Sequence, residues 1–536
     1  MLDLGVGFSH NRAFSNFRSQ TVHKKTDTES RILSGNAKAD SFYHTLEWLI
    51  TAFAGTLVFI FFIMQVYRIP TGSMAETLRG AHFRLRCRQC GYRFDYDFRQ
   101  DVYRAGENVT PRDQLPLLPT PPRCPSCGYF EPQIQISGGK AYVRQGERVL
   151  PGQLHTVYKG DQIFVLKCIY QFFEPKRWDV VVFKNPLEPK INYIKRLIAG
   201  PGQTVQLIDG DVYIDGHIQR KPAAVQDELW MPIYDNDFRP IRPEEPRFNG
   251  HAWRQPFENR PQSRWELQTN HLSVFALNAD DGTVHRVRYN PHIGNDFRAT
   301  YAYDEPDKYP LMPVCSDLMV RCYVRIGDDS AFGAHLGKYG IGYEGWIYAD
   351  GRAEIIRIHP DGTTEVLAEG KCDAAEGPVL FRFANADHLL RLEYGAFDLH
   401  FDLGVEPDAA GTHRDIPPEV ELAGVGKVWL DHIGVFRDIH YITDNIRRAT
   451  EAEPLTLGPD EFFVCGDNSP YSFDSRLWDK PGRGNNGRNY REGIVPRDFL
   501  VGKAFFVHWP GGWRLKKEPL RWIPCPDGMK VIYGGN

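Results

Sequence analysis

The sequence predicts a mainly β protein built of several modules behind a single N-terminal membrane-spanning helix. Three observations lead there. A length of 536 residues exceeds what one ordinary core holds, at roughly 150 residues per domain. From Gly138 onward, β-branched runs bounded by Gly, Pro and Asp recur at short spacing. One segment alone, Trp48 to Val66, is apolar enough to compete for a bilayer.

Residues 1–44 are polar and mixed in charge, and read as a mobile tail. The apolar run "WLITAFAGTLVFIFFIMQV" is interrupted only by Thr51, Gly55, Thr56 and Gln65. It is just long enough to cross a hydrocarbon core of about 30 Å at about 1.5 Å per residue. The segment before it is too long for the n-region of a signal peptide and no A-x-A site follows, so 45–66 reads as an uncleaved transmembrane helix. Arg31 and Lys38 before the span face Arg68, Arg79, Arg84 and Arg86 after it, which leans toward a cytoplasmic C-terminal part. The net charge of −4, with 25% charged residues, carries no basic excess and argues against nucleic acid as a partner.

A first stretch, 67–86, holds "YRIPTGSMAETL" with Ser73 between Gly72 and Met74. A cysteine module, 87–137, follows. Its "CRQC" (Cys87, Cys90) and "CPSC" (Cys124, Cys127) are each followed by Gly and Tyr, a pattern suited to two knuckles that bind one structural zinc through four thiolates. The 33 residues between the pairs exceed the usual spacing, so a pair of disulfide hairpins is the other reading. Cys168, Cys315, Cys322, Cys372, Cys465 and Cys525 show no ligand spacing and are expected to be buried thiols.

In 138–223 the runs "QIFVLKCIY", "WDVVVFKNP", "NYIKRLIAG" and "DVYIDGHI" predict an antiparallel β unit. In 224–454, after a proline-rich opening, strand-like runs recur with Asp281-Gly282, Asp350-Gly351 and Asp361-Gly362 as hairpin turns requiring φ > 0 at both central positions. A jelly-roll-like β-sandwich is predicted there, resembling the concanavalin-like lectin and glucanase fold by strand pattern alone. Trp230, Trp265 and Trp346 could stack on sugar there, although tryptophan at strand spacing usually packs the core. The last part, 455–536, resumes strands and contains "FFVCGDNSPYSFDSRLW".

A serine hydroxyl attacks at neutral pH only with a base within about 3 Å and donors aimed at the developing oxyanion. No histidine, including His155, His217 and His508, has a carboxylate at suggestive spacing. A lysine serves if burial brings its pKa down from about 10.4 to about 7–8. Lys195 sits in such an apolar strand, and alternation sets Tyr193, Lys195 and Leu197 on one face, Ile194, Arg196 and Ile198 on the other. Alone, that pattern also fits an edge-strand charge.

The strings "IPTGSMAETL", "GDQIFVLK", "RWDVVVFKNP", "YIKRLIAGPGQTV", "GDVYIDG", "GDNSPYSFDSR" and "VGKAFFVHWP", in that order after one span, resemble the type I signal peptidases, membrane-bound Ser/Lys endopeptidases. The resemblance covers about 66–86, 138–223 and 455–510 and leaves a zinc-ribbon-like and a sandwich insertion outside it. It implies Ser73 as nucleophile, Lys195 as general base, Thr71 as an oxyanion-hole donor and Ser472 as the serine that orients the lysine. Met74, Gly466, Asp467 and Asn468 fall in the same motifs, and Asp474 and Arg476 match an ion pair, with Arg196 a further partner. Glu76 stands where the family usually has proline, and Ser469 and Pro470 replace the common Arg and Asp, so ion pairs made there in relatives are expected to be lost. The resemblance implies no cofactor for catalysis, preprotein signal peptides as substrates, and a catalytic domain on the extracytoplasmic side of the cell membrane. That placement opposes the arginine count and is preferred, because long translocated domains are insensitive to flanking charge. The alternative is a degenerate, membrane-anchored scaffold whose sandwich binds a glycan or a protein.

Overall fold

A computed structural model describes residues 27–98, 121–151, 157–509 and 528–535, apart from 133, 138–139, 146–147, 248–249, 268–272, 305, 374–376, 405–413, 445, 485–486 and 488. The chain divides into two compact units, residues 1–63 and 64–536. In the first, an α-helix runs Asp27–Val58 and passes into a π-helical turn at Phe59–Ile63. The expected polar tail is therefore helical from Asp27, and residues 1–26 lie outside the described ones. Trp48, Leu49, Ile50, Phe53 and Phe62 are exposed on this helical segment. Among the described residues, no helix is long and apolar enough to cross a membrane. The expected span also overruns the helix, since Met64 to Val66 belong to the strand Met64–Arg68.

The second unit is mainly β, as predicted. Its main sheet outside the insertion is antiparallel, in the order Met64–Arg68, Gln162–Leu166, Leu500–Trp509, Val180–Lys184, Asn192–Ala199, Glu461–Cys465 and Val495–Pro496. Val180–Lys184 is central, and its near-continuous apolar run is buried on both faces. A smaller sheet, His217–Ile218, Asp211–Ile214, Thr204–Ile208 and Leu455–Thr456, shares a core with it through Ile198, Val205, Leu207, Phe463 and Cys465. The helix Ala223–Leu229 buries Val225 and Leu229 in that same core. The catalytic part therefore extends past the predicted boundary at 224, and the first sandwich strand is Met231–Asp235.

The insertion is a two-sheet sandwich organised by one long strand, Glu419–Arg437. Its first half pairs with Ala331–Lys338 and His285–Tyr289 in one sheet, and its second half with Leu318–Ile326, Phe275–Ala279 and Met231–Asp235 in the other. The strand passes between the two at Gly426, whose φ of 78° only glycine adopts readily. Alternating residues from both sheets, among them Phe257, Phe275, Phe332, Phe381 and Leu430, fill one core. Trp265 and Trp346 belong to the buried set, so neither offers a face to a sugar.

The three Asp-Gly turns differ from the prediction. Only the glycines, at φ 67°, 85° and 83°, have positive φ. Each aspartate instead accepts the N–H two residues on, from Thr283, Arg352 and Thr363, which makes Asx turns. Asp350-Gly351 and Asp361-Gly362 close hairpins, but Asp281-Gly282 links strands that lie in different sheets.

Sandwich and catalytic part meet through buried charges. Lys221 pairs with Asp387 and with Asp438 at 2.7 Å, while Lys338 pairs with Asp317 and lies 3.8 Å from Asp211. Burial drives the Asp211 carboxyl well above its usual range, while the Lys338 ammonium helps hold Asp317 near 2 against its own burial. Breaking such a set leaves uncompensated charge in a dry interior. Lys338→Ala is expected to cost about 3–5 kcal/mol, read as a lower midpoint in denaturant unfolding at pH 7.

Candidate active site

Ser73 sits in a single 3-10 turn, Gly72–Met74, which closes with Ala75 N–H donating to the Gly72 carbonyl at 2.9 Å. Apolar anchors hold the turn on both sides. Ile69, Met74 and Leu78 are inserted among Ile163, Val165, Val180, Val182 and Ile194, and burying a side chain of Met74's size contributes about 1.5–3 kcal/mol. The strand Asn192–Ala199 crosses beneath with both of its faces buried from Ile194 onward, so the alternation predicted from sequence leaves Lys195 and Arg196 equally far from water.

Lys195 Nζ lies 2.7 Å from Ser73 Oγ and also donates to the Ile194 carbonyl at 3.0 Å. Burial of the ammonium lowers its pKa from 10.5 to about 8, against the opposing pull of Asp474 and Asp467. The sign for stability follows: the folded protein releases this proton before the unfolded chain does, so the penalty for burying Lys195 is full below about pH 8 and disappears as pH rises toward 10.5. A neutral amine beside a hydroxyl, out of water, can take the hydroxyl proton.

Two buried arginine–aspartate pairs frame the amine. Arg196 grips Asp467 with Nε–Oδ1 at 2.8 Å and Nη2–Oδ2 at 2.7 Å, and also donates to the Trp178 carbonyl. The ion pair the resemblance implies, Asp474 with Arg476, forms at 2.9 Å from Nε and 2.8 Å from Nη2, and Arg196, the further partner expected for it, takes Asp467 in exchange. The register explains the exchange: Arg196 faces Cys465 across the ladder, which brings Asp467 to it. Asp474 also accepts the Gly466 N–H at 2.9 Å, and the Arg476 charge holds its carboxyl below the usual range despite burial.

Ser472 is fully buried next to this pair, but its hydroxyl makes no hydrogen bond to Lys195. The bonds that hold Nζ are those to Ser73 and Ile194. Thr71 is exposed and extended, with no side-chain bond to the turn it precedes. Ser469 is not a lost contact: its hydroxyl accepts from Arg476 at 2.6 Å and from the Ile442 N–H at 2.8 Å, joining the loop to the chain leaving the sandwich.

Gly466 permits the closest approach. A Cβ there would fall 2.3 Å from the Ser73 carbonyl oxygen and 2.2 Å from Ser472 Oγ. The Asn468 N–H donates to that same carbonyl at 3.1 Å.

The four cysteines converge as well. Their sulfurs lie within 4.8 Å of one another, Cys87 3.7 Å from Cys127 and Cys90 3.6 Å from Cys124, too far apart for disulfides. A tetrahedral zinc with Zn–S bonds of about 2.3 Å needs sulfurs about 3.8 Å apart, so the set fits that ion. Both knuckles close alike: Gly91 N–H to the Cys87 carbonyl at 2.9 Å, Gly128 N–H to that of Cys124 at 3.0 Å. Four thiolates leave no open position for chemistry. Cys315, Cys322, Cys372 and Cys465 are buried, Cys168 is half-buried, and Cys525 lies outside the described residues.

The family model "Signal peptidase, peptidase S26" matches residues 151–252 and 436–509, which contain Lys195, the Asp467 loop and the strands that hold them. These two stretches of the chain are similar to that family. Among curated relatives, Signal peptidase I T of Bacillus subtilis is 38% identical over 81 residues, 15% of this chain and 39% of its own length. Signal peptidase I of Aquifex aeolicus is 40% identical over 101 residues, 18% of this chain and 38% of its own. That of Pseudomonas aeruginosa is 27% identical over 161 residues, 26% of this chain and 54% of its own. The chain thus spans about two fifths to about half the length of these relatives. A solved carbohydrate-binding module, CBM66 of Bacillus subtilis, aligns over 34% of this chain and 95% of its own at 10% identity, with a TM-score of 0.23.

Motif reading missed the insertion's contacts with this site, made by Tyr301, Tyr303 and Asp304. In sequence, "TYAYDEP" looks like any aromatic-rich core segment. Gly466→Ala is expected to displace Ser73 by a few tenths of an ångström or more and to lower kcat by about a hundredfold with the fold retained, as read by steady-state kinetics and circular dichroism.

Proposed function

We propose that this protein is a membrane-anchored serine endopeptidase, a type I signal peptidase that removes signal peptides from exported preproteins with a Ser73/Lys195 dyad. The observation that carries the reading is the 2.7 Å contact between Ser73 Oγ and a buried Lys195 amine whose pKa is near 8. Neutral Lys195 takes the Ser73 proton as the oxygen attacks the scissile carbonyl. The oxyanion forms toward the Ser73 N–H and the Thr71 hydroxyl. Lys195 then passes its proton to the departing amine, and a water activated by the same lysine hydrolyses the acyl-enzyme.

The apolar run Trp48–Val66, with Trp48, Leu49, Ile50, Phe53 and Phe62 exposed, supports an anchor. Ser73 follows Ile63, the last helical residue of the run, by ten residues, so the chain carries it no more than about 36 Å from there at about 3.3–3.6 Å per residue. A signal peptide seated in lipid presents its cleavage site in that zone, on the extracytoplasmic face. Catalysis needs no cofactor, and a structural zinc on Cys87, Cys90, Cys124 and Cys127 stabilises the first insertion.

Ser73→Ala and Lys195→Ala are expected to lower preprotein cleavage by about a thousandfold or more, and Lys195→Arg as well, because a guanidinium stays charged. Normal turnover in both alanine variants would refute the dyad. In the wild type, kcat/KM should rise with pH through one ionisation near 8 and fall about tenfold per pH unit below it. Metal analysis of purified protein should find one zinc per chain. Cys124→Ser should lose it and unfold at lower denaturant; a metal-free wild type of unchanged stability would remove zinc from the account.

A further inference from the structure

The segment Tyr301 to Asp304 belongs by sequence to the sandwich insertion, yet three of its four residues touch the segments around Ser73. The Tyr301 hydroxyl donates to the Asp467 carbonyl at 2.8 Å. Tyr303 lays its ring so close to Gly72 that a Cβ there would fall 2.2 Å from Cε1, and its hydroxyl donates to the Ala81 carbonyl at 3.3 Å. Asp304 Oδ1 accepts from Asn468 Nδ2 at 2.7 Å, and Asn468 holds the Ser73 carbonyl. Tyr301 and Tyr303 are buried and form a small apolar cluster with Ala75 and Met231.

Glu76 is the residue of the nucleophile loop to which the family resemblance gives no role. Here burial pushes its carboxyl up, against the nearby charges of Arg79 and of Arg437, the last residue of the long sandwich strand. The loop therefore carries a carboxyl close to a charge of the insertion.

We propose that Tyr301–Asp304 is a positioning latch through which the sandwich insertion fixes Ser73 against Lys195. The inference rests on the Ser73/Lys195 reading. A 3-10 turn of one residue triplet has little rigidity of its own. The Tyr303 ring walls it at Gly72, while Tyr301 and Asp304 fix the Asp467–Asn468 backbone that holds the Ser73 carbonyl. Displacement of a nucleophile by about 1 Å lowers turnover by about a hundredfold without altering substrate contacts, so the latch acts on kcat rather than KM.

The test uses the full-length protein in detergent micelles with two assays: preprotein cleavage, and acylation of Ser73 by p-nitrophenyl acetate, which requires no preprotein recognition. Asn468→Asp sets two carboxylates face to face and should lower both rates at least about tenfold, with KM within about twofold. Adding Asp304→Asn restores the pair with donor and acceptor exchanged, and should return both rates to within about threefold of wild type. Tyr301→Phe should lower kcat severalfold with the unfolding midpoint little changed. Single variants at wild-type rates, or a double variant no faster than Asn468→Asp, overturn the latch. A wild type that acylates Ser73 but cleaves no preprotein refutes the proposed substrate, and the acylation rates then decide the latch alone. A wild type that does neither overturns both.

Discussion

A lysine can serve as a base near neutrality only where water is kept from its amine, and everything around Lys195 answers that requirement. The strand that carries it is buried on both faces, so the arginine beside it is buried as well and must be neutralised. Asp467 does this for Arg196, while Asp474 and Arg476 neutralise each other nearby. The arrangement is a compromise. Carboxylates close to the amine favour its charged form, and desolvation has to outweigh them to leave the pKa near 8. Placing each carboxylate in a two-point grip with an arginine offsets much of its field at the amine while keeping the loop rigid.

The same segments hold Ser73. Gly466, Asp467, Asn468 and Ser469 meet, in turn, the Ser73 carbonyl, Arg196, the turn with the insertion, and Arg476. Geometry and electrostatics are therefore carried by one short loop, and a change that moves the loop alters both the reach of Lys195 and its basicity.

The sequence was most legible where periodicity and motif order agree. The apolar strands at 180–184 and 192–199, the buried setting of Lys195, its approach to Ser73 and the convergence of the four cysteines all appear as expected from residue types and spacing. Pairings decided by register were less legible. Arg196 chooses Asp467 over Asp474 because of how two strands align, and no residue string records an alignment between positions about 270 apart. Ser472 is buried beside the Asp474–Arg476 pair, yet its hydroxyl makes no bond to Lys195. Asp-Gly dipeptides marked turns correctly but misled about their type, since the aspartate side chain could cap the next N–H and leave its own backbone in an ordinary conformation. Glu76 looked anomalous because the Arg437 charge near it lies more than 300 residues away in sequence, in a different module.

The insertion begins and ends at hydrogen-bonded neighbours: Met231 opens its first strand directly opposite Arg437, the last residue of its final one. Seen from the catalytic sheet, more than two hundred residues leave and return like the two arms of a single hairpin. The entropic cost of closing such a loop grows only logarithmically with its length, and a lobe with its own core meets most of that cost by folding within itself. A module of this kind can lengthen or shrink with no change in the distance between its two attachment points. What limits such change is the side of the lobe that has grown into the catalytic loops.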